Sequence, residues 1–101
     1  MAVVFTGRPR ILTMIERTVT IVNRAGLHTR PAAALVKTAA RFRAEFTITK
    51  DSFEINGKSI IGVMTLAAEK GSSLTLRFDG PDEEQAAAAI VDLIARGFDE
   101  E

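Results

Sequence analysis

Between Ile15 and Val22 the chain reads IERTVTIV, with Ile15, Arg17, Val19 and Ile21 on one side and Glu16, Thr18, Thr20 and Val22 on the other. That period of two, rich in β-branched side chains, predicts a strand. NRAG then breaks the pattern as a turn or loop. From Thr29 to Arg41 the period changes, and Ala32, Leu35, Ala39 and Phe42 recur every three or four residues while Lys37, Arg41 and Arg43 are polar. This is an amphipathic helix whose small alanines allow close packing on a sheet. EFTITK (Glu45–Lys50) alternates again, Asp51-Ser52 turns the chain, and FEIN (Phe53–Asn56) pairs back as a hairpin that Asn56-Gly57 ends.

SIIGVMTLAAEKG (Ser59–Gly71) opens on a serine suited to an N-cap and stops at a glycine, which predicts a short helix carrying Ile60, Val63, Met64 and Ala67. On so short a helix, Ile60, Met64 and Ala67 are not all expected to be exposed. SLTLRF (Ser73–Phe78) is a fourth strand, and Asp79-Gly80-Pro81 turns the chain into a last helix, Asp82–Arg96. Its first turn holds acids that suit the helix dipole, and Ala86, Ile90, Leu93 and Ile94 form its apolar stripe. The order is β-α-β-β-α-β-α, a split βαβ unit followed by a similar second half. It predicts an α+β open-faced sandwich, a four-stranded antiparallel sheet with three helices on one face. Residues 1–13 stand outside every pattern and read as a weakly ordered leader before a single domain, 14–101.

Composition narrows what such a domain can do. Of 101 residues, 47% are apolar and 26% charged, the balance of a globular chain with room for one core. Thirteen basic and thirteen acidic side chains cancel, so no global charge argues for nucleic acid or an anionic membrane. No apolar run reaches the roughly 20 residues of a membrane span. The absence of cysteine excludes disulfides, thiolate metal sites and cysteine nucleophiles, and it fits a cytoplasmic address.

The chemistry concentrates in NRAGLHTRPAAALVKTAARF (Asn23–Phe42), which holds the only histidine. A helix N-terminus presents unpaired N–H groups and a partial positive charge, so it receives anions. Pro31 suits the first turn, where its missing N–H costs nothing. Arg30 adds a guanidinium able to grip phosphate oxygens in pairs. A neutral imidazole at His28 has one nitrogen able to attack phosphorus, next to donors that would hold the transferred group. The sequence shows no partner carboxylate, second histidine, metal cage or glycine-rich nucleotide loop for that ring, which suits a carrier better than an enzyme that uses ATP by itself. A surface or capping histidine, a solvated arginine and a plain helix-starting proline fit the same residues.

GLHTRPAA (Gly26–Ala33) resembles the active-site signature of the histidine-containing phosphocarrier family, HPr, of the bacterial phosphoenolpyruvate:sugar phosphotransferase system. KSIIGVMTLAAEKG (Lys58–Gly71) resembles that family's second signature, around its regulatory serine, and the similarity runs from Met14 to Ile94. The resemblance implies that His28 accepts a phosphoryl group on its δ nitrogen, as pros-phosphohistidine, from phospho-enzyme I. It would pass the group to a histidine of an EIIA-type domain. Arg30 would stabilise the group, and Thr29 would offer a backbone N–H. Ser59 would be phosphorylated by an ATP-dependent HPr kinase/phosphorylase in bacteria that have one, and its phospho-form would engage a transcription regulator; the same serine also fits a simple N-cap.

Ala33, Ile60, Ile61 and Met64 would form an apolar docking patch, with Ile61 and Met64 facing partners and Arg24, Lys37, Arg41 and Lys58 on its rim. Each of the apolar four also fits a core position, and each cation a solvated one. The same resemblance implies a cytoplasmic monomer with no cofactor or metal, which is a carrier rather than an enzyme and neither binds nucleic acid nor inserts in a membrane. Two other readings stay open: a regulatory module working through Ser59, and a nitrogen-related signalling branch of the same system. The leader, isoleucine at position 61 and the acidic tail RGFDEE (Arg96–Glu101) depart from the family pattern. The presence of both His28 and Ser59 argues against the branch that lost the histidine.

Overall fold

In the computed structural model, residues 14–100 are described. The elements are β1 (Ile15–Thr20), α1 (Thr29–Ala39), β2 (Glu45–Lys50), β3 (Phe53–Asn56), α2 (Ile60–Thr65), β4 (Ser73–Asp79) and α3 (Glu83–Ala95), followed by a 3-10 turn at Gly97–Asp99. The expected leader lies outside the described residues. All strand pairs are antiparallel, in the order β1-β4-β2-β3. The open-faced α+β sandwich expected from the order of elements is the architecture.

Strand alternation explains which face is covered. Phe46, Ile48, Leu74, Leu76 and Phe78 are buried on one face, and α1 and α3 lay Ala32, Leu35, Ala86, Ile90 and Ile94 against them. Register places Phe46 opposite Phe78, and their rings stack with centroids 4.7 Å apart. The other face is polar, where Arg77 bridges from β4 to Glu16 of β1 at 3.0 Å. Exposed pairs of that kind add little stability.

Two helix ends differ from expectation. The first helix stops at Ala39, short of Arg41. Other elements hold the chain beyond it: Lys58 Nζ donates to the Phe42 carbonyl at 2.7 Å, and the Asp82 carboxylate accepts the amides of Arg43 and Ala44, each at 2.8 Å. The second helix ends at Thr65, not near Gly71. Leu66 caps it and Ala67 turns left-handed at φ 51, the position that glycine usually fills after a helix. Gly71, with φ 92, turns the chain into β4 instead.

The expectation that Ile60, Met64 and Ala67 are not all exposed is overturned, since all three are exposed. Val63, Leu66 and Ala68 supply the buried side in their place.

Replacing Ala67 with glycine removes a left-handed alanine from an exposed site. We expect Ala67→Gly to stabilise the fold by about 0.5–1 kcal/mol, read from urea denaturation. The Arg43 amide, and behind it that of Ala44, hold the Asp82 carboxyl below its ordinary 3.8. A carboxylate whose folded pKa is lowered contributes stability above its unfolded pKa and loses it as pH falls through the folded one. Asp82→Asn should therefore lower the melting temperature at neutral pH, and the gap from the parent should narrow as pH falls below about 4.

Candidate functional site

His28 stands where an extended loop becomes helix. It is the N-cap of α1, with φ −83 and ψ −169, and its carbonyl accepts the first intrahelical bond from Ala32 at 2.9 Å. Its side chain makes no capping hydrogen bond, so the reading of this ring as a cap does not hold. Thr29 and Arg30 follow in the first turn, where amides precede the first i−4 acceptor. Both are exposed, while Pro31 is buried and anchors the turn.

The loop that presents the ring is fixed by a second loop. Leu27 N–H donates to the Ala68 carbonyl at 2.8 Å. Further along, Ile21 and the Gly71–Ser72 pair exchange backbone bonds at 2.7 and 2.9 Å. Gly26, at φ 72, brings its backbone so close that an added Cβ would lie 2.5 Å from the Ala68 oxygen. The two sequence stretches of interest therefore touch, the residues before His28 lying against those after α2.

Serine 59 caps α2, its Oγ accepting the Gly62 amide at 3.1 Å. The helices α1 and α2 pack on each other. Around them lies an apolar surface: Ile60 is 38% exposed, Ile61 73% and Met64 41%. Ala33 and Lys37, one helical turn apart, are exposed on α1, as are Arg24 and Arg41 in the flanking segments. The Arg41 guanidinium lies over the Phe42 ring at 5.6 Å. Lys58 differs from the other cations because its ammonium is half-buried on the Phe42 carbonyl.

One neighbour of the histidine was missed. The sequence offered no carboxylate partner for the histidine, yet Glu100 Oε2 lies 3.2 Å from His28 Nε2. A glycine after α3 and an apolar Phe98 in an otherwise acidic tail were the signals available. Gly97, Phe98 and Asp99 all take positive φ, the Phe98 ring is buried, and the tail folds back onto the loop before α1.

Comparison with known proteins decides what this surface belongs to. The family model described as "PTS HPr component phosphorylation site" matches residues 15–96. The chain belongs to the HPr family. Phosphocarrier protein HPr of Treponema pallidum is 47% identical over 88 residues, covering 87% of this chain and all of that protein. The crystal structure of HPr-C-His from Thermoanaerobacter tengcongensis superposes with a TM-score of 0.83 at 45% identity, covering 86% of this chain and 98% of that one. HPr of Bacillus anthracis superposes at 0.78 with 39% identity, covering 81% and 98%. Membership makes this chain a phosphocarrier component of the phosphotransferase system. Among its described residues no helix is long and apolar enough to cross a membrane.

The candidate site depends on the closeness of its two loops. Gly26→Ala meets both a positive φ and the Ala68 carbonyl, so we expect it to destabilise the fold by more than about 1 kcal/mol in denaturant titrations.

Proposed function

We infer that this HPr carries a phosphoryl group on His28 between two other proteins, taking it from phospho-enzyme I and giving it to an EIIA-type domain. The observation that supports this most is the position of the ring, 44% exposed at the start of α1 and not engaged as a cap. In the transfer, Nδ1 forms a bond to phosphorus as the donor's bond to phosphorus breaks and its electron pair leaves with the donor. The phosphoryl oxygens then meet the first-turn amides of Thr29 and Arg30, in the field of the helix terminus, with the Arg30 guanidinium as their counter-charge. The affinity of such a terminus is modest, so the group is held yet can be passed on.

Docking falls to the exposed apolar residues Ile60, Ile61 and Met64, with Ala33 across from them. Lys37 and Arg24 steer an acidic partner, and with them Arg41. Lys58 belongs to the same rim by position, although its ammonium serves the α1–β2 connection. Ser59 lies at the edge of this apolar surface, and a phosphate there would add a charge of about −1.5 to −2 where an apolar partner must sit. This supports Ser59 as the regulatory site, modified by an HPr kinase/phosphorylase and read by a transcription regulator. A purely regulatory or nitrogen-related role is the second reading. What favours carrying is an intact imidazole, exposed at a helix start, with the Glu100 carboxylate 3.2 Å from its Nε2. The working form is a cytoplasmic monomer that needs no cofactor or metal and acts as the covalent intermediate rather than as an enzyme.

With phosphoenolpyruvate and enzyme I, the parent should gain an acid-labile, base-stable phosphate that maps to His28. The His28→Ala variant should gain none, and labelling equal to that of the parent would refute carrying at this residue. For Arg30→Ala we expect transfer to slow about tenfold or more with the fold intact, followed by quench-flow and mass spectrometry.

A further inference from the structure

A groove of about 820 Å³ runs between β1 and α3, and none of its lining belongs to the candidate site. Since β1 is an edge strand, no further strand covers this side among the described residues. Ile15, Ala87, Ala88 and Val91 give the groove an apolar lining. Met14, exposed, lines it too, at the point where residues 1–13 join the domain.

The groove is also acidic. Its charged residues are Glu83, Glu84 and Asp92 against one cation, Arg17. Glu83 Oε1 accepts the Gly80 amide at 2.9 Å, and Asp92 is paired with Arg96 Nε at 2.9 Å. Glu84 has no hydrogen bond or ion pair among the described residues.

The segment that enters at Met14 is MAVVFTGRPRILT, which precedes the part of the chain that matches the family. It carries Val3, Val4, Phe5, Ile11 and Leu12, two arginines, Arg8 and Arg10, and no acid. Its composition is thus the complement of the groove. We propose that residues 3–12 fold back into the groove between β1 and α3, their apolar side chains packing on Ala88 and Val91 and their arginines facing Glu84 and Asp92. This is independent of what His28 does.

Length and attachment permit it. At about 3.3–3.6 Å per extended residue, Arg10 reaches about 14 Å from Met14 and Phe5 about 30 Å. The thirteen residues of α3 span about 20 Å, so the segment can cover the helix from end to end. A tethered segment meets its site at an effective concentration on the order of millimolar, which favours the chain's own leader over that of a second copy. Exposed ion pairs are individually weak, so the apolar contacts hold the segment and the arginines select where it lies.

The test uses the full chain, isotope-labelled for nuclear magnetic resonance, beside Glu84→Lys and Ala88→Lys. Both positions are exposed, so neither change enters the core. In the parent we expect nuclear Overhauser cross-peaks from the Phe5 ring and the Ile11 and Leu12 methyls to the Val91 methyls. Order parameters for residues 3–12 should approach the value of about 0.85 typical of rigid backbone. Each variant should lose the cross-peaks and fall below about 0.6 in that segment, while the contacts between Phe46 and Phe78 stay. Low order parameters in the parent, or cross-peaks that survive both substitutions, would overturn the proposal. Cross-peaks found only between differently labelled molecules would overturn it too, and would assign the groove to a second copy.

Discussion

The hydrogen bond from the Leu27 amide to the Ala68 carbonyl is the contact on which the site depends. It fixes the loop that ends at the histidine against the segment that follows the second helix. Only a residue without a Cβ lets the two backbones come this close, and Gly26 stands at that point. The bond joins segments that lie on either side of α1, β2, β3 and α2, so its geometry depends on how those elements pack. The geometry around His28 is therefore a product of the complete fold. It is not a property of the short sequence that surrounds the ring.

Much of this was legible because each element carries its own period. The strand alternation in EFTITK and SLTLRF and the alanine-spaced stripe of the first helix are local signals, and they produced the sandwich directly. The end of the second helix was not legible. A left-handed alanine at position 67 does what glycine usually does, and no local pattern distinguishes it from one more helical residue. The exposure of Ile60, Met64 and Ala67 was hidden for the same reason. With the helix cut short, Leu66 and Ala68 take over the burial that a longer helix would have required of other residues.

The missed carboxylate shows the other limit. Asn23 and Glu100 are 77 positions apart, and no periodicity links an acidic tail to a loop so distant. What brings them together is packing: Phe98 is buried, three consecutive positive φ angles reverse the chain, and the tail lands beside Asn23. The histidine and arginine were readable as candidates because a helix start is itself a local signal. The glutamate was not, because its position follows from where a ring elsewhere in the tail is buried.

A carrier must hold its cargo long enough to be useful and loosely enough to give it away. A deep pocket with many fixed donors would favour the phosphorylated state too strongly, since each charge-assisted hydrogen bond contributes about 1.5–3 kcal/mol. Here the ring is 44% exposed at the start of one helix, whose dipole contributes about 0.3–1 kcal/mol at a solvated surface. One buried donor of Asn23 is directed at the Gly26 carbonyl and the other at Glu100, whose second oxygen lies 3.2 Å from the ring. Rigidity is thus placed in the loop before the ring, while the ring itself stays open to solvent.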